Sequence, residues 1–317
     1  MPPSILRPDA VRPSQKRAWL VPVLSLAYLL FSYLLIGFRS EQLALVVLCS
    51  ACYYLSATTR RFITGFSIFV VFWILYDYMK AFPSYAYRAV HIAQLYQTEK
   101  SLFAIPCQGQ LLTPNEFWLL HTSPVLDVLC GIFYLCWVPI PLAFAGYLFF
   151  SNRRLFFEFS LTFLFVNLLG FVVYYLYPAA PPWYVQERGF GFLPLTLGST
   201  AGLARFDSLL GVPVFAAIYA KNSNVFAAMP SLHSAYPVIV LFYAVKKQAV
   251  ALSAICFVIM VGIWFAAVYT SHHYVLDVVA GASLALAGIL LMRLLLARSR
   301  AFNGLVNYLL RATAPTT

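Results

Sequence analysis

The chain has 317 residues, of which 62% are hydrophobic and 17% aromatic, with 28 Phe and 21 Tyr. Charged residues make up 10%, against roughly 25% in a soluble protein, so a water-soluble globule is excluded and the chain reads as an integral membrane protein. The formal charge of +11 does not point to nucleic acid, because the 21 Lys and Arg fall in short clusters between apolar runs instead of along one basic stripe.

Apolar runs long enough to cross about 30 Å of hydrocarbon at about 1.5 Å per residue lie at 18–37, 41–58, 62–79, 124–150, 156–177, 230–246, 249–270 and 273–296. They predict an all-α, polytopic membrane helix bundle of about eight transmembrane helices. The first run has full spanning length and no small-residue cleavage site after it, so it is expected to be a retained anchor. Residues 80–123, with Tyr85, Tyr87, His91 and Tyr96 among polar residues, read as an external amphipathic or loop segment on the membrane surface. A second long connection covers 178–229, and 297–317 is a tail. Of the six cysteines only Cys107 lies clearly outside an apolar run, so neither a disulfide framework nor a zinc pair is expected.

Basic residues set the orientation. Fourteen of them (Arg7, Arg12, Lys16, Arg17, Arg60, Arg61, Arg153, Arg154, Lys246, Lys247, Arg293, Arg298, Arg300 and Arg311) fall on one side and seven on the other, mostly in long loops that weigh little. The richer side is expected to be cytoplasmic, which puts both termini inside and both long loops outside.

Ionisable groups are expensive inside a bilayer, so those gathered at span ends on one side carry more information than they would in a soluble chain. Three such places share the non-cytoplasmic face: Pro178–Tyr184 after the fifth span, Pro230–His233 at the start of the sixth, and His272–Asp277 at the start of the eighth. His273 and Asp277 stand four residues apart on one helix face, where the carboxylate can hold Nδ1–H and leave Nε2 as a nucleophilic lone pair. An interfacial His and Asp capping a helix fits that pattern equally well. His233 follows Pro230 by three residues, with Ser231 as an N-cap, so open backbone N–H groups around Ser231 and Leu232 are placed to hold a phosphate beside an imidazole suited to acid and base work. Trp183 and Tyr184 are candidate walls of the site, although the aromatic belt of the membrane also accounts for them. Arg205 is a candidate phosphate ligand, with Asp207 beside it and Lys221 and Arg188 as weaker versions. His91, His121 and His272 read as surface or orienting residues, while Asp77 and Asp127 suit hydrogen bonds between helices.

These residues resemble the membrane branch of the type 2 phosphatidic acid phosphatase (PAP2) superfamily, and within it the inositol phosphorylceramide synthases related to the aureobasidin-resistance protein. The resemblance rests on P-x-x-P-P-W-Y at 178–184, G-L-A-R-x-D at 202–207, M-P-S-L-H-S-A at 229–235 and T-S-H-H-Y-x-x-D at 270–277. It implies a six-helix PAP2-like catalytic core over 62–296, preceded by an N-terminal tail and two additional helices within 1–61. It further implies His273 as nucleophile, Asp277 as its orienting partner, His233 as acid and base, and no metal or cofactor. The chain departs from the soluble members of the superfamily: no K-x6-R-P precedes the second motif, and Ala267 stands where the third motif carries arginine.

The expected reaction is transfer of phosphoinositol from phosphatidylinositol to ceramide through a phosphohistidine, releasing diacylglycerol, with the lipid bilayer as the medium and no nucleic acid involved. A lipid or polyprenyl phosphatase using water is the alternative, and a non-enzymatic lipid transporter is a third reading. A bacterial inner membrane is the favoured location, with the Golgi as alternative.

Overall fold

A computed structural model of the chain describes residues 15–220 and 224–314. They fall into two compact units, 15–81 with 301–314, and 82–220 with 224–300.

In the first unit α1 (Gln15–Ile36), α2 (Ser40–Leu55) and α3 (Ala57–Tyr78) follow one another closely. The single residue between α2 and α3, Ser56, accepts a hydrogen bond from the Thr59 amide at 3.1 Å and so starts α3 immediately. Ser32 of α1 and Tyr78 of α3 share a hydrogen bond of 2.9 Å inside lipid-facing helices, where unpaired hydroxyls are costly.

The second unit opens with α4 (Ala93–Phe103), a short hairpin of β1 (Ile105–Cys107) and β2 (Gln110–Leu112), and α5 (Pro114–Leu120). Thus the segment expected to lie on the membrane surface has defined structure. Thr113 and Glu116 form a capping box at the start of α5, and Pro114 fills its first position, where a missing N–H does no harm. Next come α6 (Pro124–Leu135) and α7 (Pro139–Ser151), bent by 43° at a break where Pro139 and Pro141 cannot continue the hydrogen-bond ladder. The long α8 (Arg153–Leu176) is followed by α9 (Pro182–Arg188), α10 (Ala204–Leu210) and α11 (Val214–Tyr219), all within the second long connection. The unit ends with α12 (Leu232–Lys246), α13 (Val250–Tyr269) and α14 (Val275–Arg298). The remaining helix, α15 (Arg300–Ala312), lies where the sequence predicted only a tail.

Among the described residues α1, α3, α8, α13 and α14 are long and apolar enough to cross a membrane, the bent α6–α7 pair makes a sixth such span, and α2 and α12 are shorter apolar helices. All eight predicted runs coincide with these elements. The chain is an all-α, polytopic integral membrane protein.

Within the second unit α12 packs against α13, α14, α8 and α7, with α6 on α13 and α14 on α8. Polar side chains tie α8 to α12: Tyr236 donates to Asn167 at 2.6 Å, Thr162 and Tyr243 share a bond of 2.8 Å, and Lys246 pairs with Glu158 at 2.6 Å. One glycine allows a decisive close approach. A Cβ on Gly281 of α14 would stand 2.0 Å from the Ser231 carbonyl oxygen, so only glycine lets the start of α12 lie directly on α14.

Candidate active site

The start of α12 and the start of α14 are held together by backbone as well as side chains. The Ser231 amide donates to the Asp277 carbonyl at 3.0 Å, while the Ser231 hydroxyl accepts from the Ser234 amide at 3.2 Å and caps α12. With Ser231 thus committed, the open donors of that first turn are the N–H groups of Leu232 and His233. The preceding strand-like segment is fixed from outside. Ala179 lies between residues 91 and 227, its amide donating to the Phe226 carbonyl at 2.9 Å and its carbonyl accepting from Ala228 at 3.3 Å.

At this junction His233 Nδ1 and His273 Nε2 face each other at 3.0 Å, and behind His273 its Nδ1 lies 3.5 Å from Asp277 Oδ2. The same carboxylate oxygen accepts from the Tyr274 amide at 2.8 Å, and Asp277 is fully buried. His273 therefore presents one nitrogen towards a carboxylate and the other towards a second histidine. Burial depresses the His273 imidazole to about 4, an effect partly offset by the Ala228 backbone, so the ring is neutral at physiological pH and Nε2 is available as a lone pair. Tyr134 of α6 completes the row, its Oη 3.0 Å from His233 Nδ1, and the Trp137 ring meets the His233 ring edge-on at 4.3 Å between centroids. With a proton on His273 Nδ1, the His233 Nδ1–H is the donor of the histidine pair and Tyr134 Oη is its second acceptor.

The loop that carries His273 is clamped by two residues of the outer segment. Asn115 of α5 donates through its side-chain amide to the Val268 carbonyl at 2.8 Å and to the His273 carbonyl at 2.9 Å. Glu99 of α4 accepts from the Val275 and Leu276 amides at 2.9 and 3.0 Å, capping α14 from another element. Both side chains are completely buried. Neither Glu99, Asn115 nor Tyr134 stands out in the sequence, where each is a single polar residue far from the motifs.

A profile of the PAP2 superfamily matches residues 107–291, which contain every group of this junction except Glu99. The chain belongs to the PAP2 superfamily. It is 44% identical over 293 residues to a phosphoinositol dihydroceramide synthase of Bacteroides thetaiotaomicron, a match covering 92% of this chain and 96% of that protein. It is 28% identical over 250 residues to an inositol phosphorylceramide synthase of Candida albicans, covering 77% of this chain and 51% of that one. A shorter match, 34% identical over 125 residues, relates 38% of the chain to 30% of the inositol phosphorylceramide synthase catalytic subunit of Saccharomyces cerevisiae. No solved structure matches the chain.

The other predicted residues of this PAP2 protein take varied places. Arg205 is not paired with Asp207; its Nε bonds Asp127 Oδ1 at 2.6 Å, Tyr269 donates to the same oxygen at 2.9 Å, and Arg205 Nη2 is buried without a partner among the described residues. Gly202, beside that guanidinium, donates its amide to the Thr270 carbonyl at 3.0 Å, which draws the G-L-A-R-x-D segment onto the loop leading to His273. Asp207 instead accepts from the Phe215 and Ala216 amides at 3.0 and 2.9 Å and caps α11. Trp183 bonds the Ser271 carbonyl through its amide at 3.0 Å, whereas Tyr184 Oη bridges the Gly191 carbonyl and the Leu193 amide. Both are buried in an aromatic cluster with Phe226 and Ile92. Lys221 lies outside the described residues. His272 is buried between the rings of Tyr134 and Tyr219, and burial, reinforced by the two neighbouring histidines, holds it neutral.

An apolar groove of about 470 Å³ runs beside the junction, lined by Val173 and Tyr177 on one side, Ala280, Ser283 and Ala287 on the other, and Met229 with Pro230 at its head. Its small residues on α14 recur at helical spacing and begin one turn after Asp277.

Proposed function

We propose that this PAP2 protein is an inositol phosphorylceramide synthase, transferring phosphoinositol from phosphatidylinositol to a ceramide-type acceptor and releasing diacylglycerol. The observation that carries the reading is the meeting of His233 and His273 at 3.0 Å with Asp277 behind the second ring. Similarity to synthases over almost the whole chain supports the lipid substrates.

His273 Nε2 attacks phosphorus, and the bond to the diacylglycerol oxygen breaks as His233, carrying a second ring proton taken up when the anionic donor binds, passes that proton to the oxygen and returns to its neutral form. Asp277 steadies the imidazolium character that develops on His273 as the N–P bond forms. The primary hydroxyl of the ceramide then attacks the phosphohistidine, giving its proton to His233, and the N–P bond breaks to restore His273. No proton or charge is left over. Two ring nitrogens 3.0 Å apart leave no room for phosphorus, so donor binding must part them. His233 stands in the first turn of α12 with Tyr134 as its alternative partner, which makes it the ring that moves.

Arg205 and the open amides of Leu232 and His233 are the proposed phosphate ligands, with Ser231 holding that turn in shape. Trp183 supports the site through its hold on Ser271, and Tyr184 and Asp207 keep the neighbouring loop and helix in place. The groove lined by Val173, Ala280 and Ala287 reaches Pro230, before the start of α12, and is the proposed berth for a lipid tail.

The charge asymmetry of the sequence supports cytoplasmic termini, with the site on the periplasmic or lumenal face, and the similarity to a Bacteroides synthase over 92% of the chain supports a bacterial inner membrane as host. The length of α12 agrees with a site below the head groups. Its 15 residues reach roughly 22 Å. Measured from Lys246 at one interface of a hydrocarbon layer of about 30 Å, an upright helix of that length ends short of the opposite interface, which supports a site beneath the head groups. Exclusion of water there favours an alcohol acceptor over hydrolysis.

The test is incubation of detergent-solubilised protein with phosphatidylinositol and a fluorescent ceramide. A slower, more polar fluorescent lipid with matching diacylglycerol is the expected result. Release of free inositol phosphate without that lipid would move the assignment to a phosphatase, and lipid movement without either product would move it to a transporter.

A further inference from the structure

We propose that Glu99 is a positioning residue whose ionised carboxylate must hold the first turn of α14 for His273 and Asp277 to be in reactive register. This rests on the synthase reading above, although the same argument applies to any phosphoryl transfer by His273.

Both Glu99 oxygens are used, Oε1 by the Val275 amide and Oε2 by the Leu276 amide. These donors sit between His273 and Asp277 in sequence, so the carboxylate fixes the short stretch of backbone that joins nucleophile to orienter. A neutral carboxyl does this less well, because its hydroxyl oxygen is a weaker acceptor and carries a hydrogen that competes for the space of one of the two amides. Glu99 comes from α4, a helix of the outer segment, and is completely buried. The groups around it withhold compensation: Asp277 and Tyr274 face it from α14, Tyr96 lies on its own helix, and Glu116 of α5 bonds Tyr96 at 2.7 Å. Lys100 donates to Tyr96 at 3.2 Å, and no cation is paired with Glu99 among the described residues.

Burial therefore raises the Glu99 carboxyl from its usual 4.5 to about 7, against the pull of the two amides and with Asp277 adding to the rise. His273 becomes cationic only near 4. An acid limb of activity near neutrality that disappears in Glu99→Gln then belongs to Glu99, a residue that never touches substrate.

The experiment measures transfer by the purified full-length protein from pH 5 to 9, in the wild type and in Glu99→Gln, which imitates the protonated acid permanently. The wild type is expected to lose activity as pH falls through about 7. Glu99→Gln is expected to have kcat lower by on the order of ten- to a hundredfold at pH 8, with KM for the donor within about twofold and no limb near 7. Glu116→Gln, a neighbouring acid that does not touch α14, should keep the limb. Monodispersity and thermal stability of each variant in detergent separate misfolding from misplacement. If folded Glu99→Gln keeps the wild-type limb, or if the wild type has none between 6 and 8, the inference is overturned. Absence of any transfer product from the wild type would instead sink the synthase reading, and the limb would then be read on phosphate release.

Discussion

His233 Nδ1 and His273 Nε2, forty residues apart in the chain, stand 3.0 Å from each other. The pairing joins the starts of two helices, and the Ser231 amide bonded to the Asp277 carbonyl keeps those starts in contact. Two nitrogens placed so closely can act on opposite sides of one phosphorus once they separate.

The proposed roles of these groups differ in what their loss leaves behind. His273→Ala is expected to remove transfer entirely and to abolish the radiolabelled protein trapped by an alkaline detergent quench from inositol-labelled donor. His233→Ala should reduce kcat by about 10²–10⁴. Asp277→Asn should cost a comparable factor through the wrong tautomer of His273. Label retained on His273→Ala protein would exclude that nitrogen as the nucleophile.

Tyr134→Phe removes the hydroxyl 3.0 Å from His233 Nδ1 and keeps the ring. The expected change is a fall in kcat of roughly fivefold with substrate KM values nearly unchanged, since a lost hydrogen bond is worth about 1 kcal/mol. A rise in KM alone would show that Tyr134 binds substrate instead of placing His233.

Gly281→Ala puts a methyl group against the Ser231 carbonyl at 2.0 Å, where backbone cannot yield. The helix starts must then move apart, with destabilisation of about 1–3 kcal/mol or more and loss of activity. Gly146→Ala, where nothing lies within 4 Å, should be silent. Equal melting temperatures and equal activities of the two variants would contradict the close approach.

Asn115→Ala leaves the Val268 and His273 carbonyls without their shared donor. The Val268 carbonyl keeps the Ser271 amide at 3.1 Å, whereas the His273 carbonyl loses its donor at a cost of about 1–3 kcal/mol, so a drop of a few degrees in the thermal transition is expected along with lowered kcat. An unchanged transition would mean that water replaces the amide.

The pH dependence of stability should run against that of activity. Because Glu99 binds its proton more tightly folded than unfolded, linkage makes the protein more stable as pH falls through about 7 towards 4.5, and less stable as pH rises through the same range. Thermal transitions between pH 5 and 8 are expected to show this slope in the wild type relative to Glu99→Gln. A slope of opposite sign would mean that the two amides outweigh burial.

Membrane insertion, the eight apolar runs and the three residues His233, His273 and Asp277 are legible in the amino-acid order because their signals are local. Twenty apolar residues declare a span, and P-S-x-H and H-x-x-x-D each lie within a few positions, although a helix-capping His and Asp fits the second equally well. Asp127 was equally readable as a bond between helices, although its partner Arg205 lies 78 residues away. The structured outer segment was not legible, since short helices with mixed polarity look like loop until something buries one face.

What tertiary structure alone decided is which groups share a place. Glu99 reaches α14 across 176 residues and Asn115 reaches His273 across 158. Tyr134, one tyrosine among 21, becomes special only when α6 sets it beside α12. The order of residues specifies hydrophobicity, helix length and capping, which depend on near neighbours. The site depends on contacts between distant segments, and these come into being when the helices pack and the polar groups of their ends must find partners in one another.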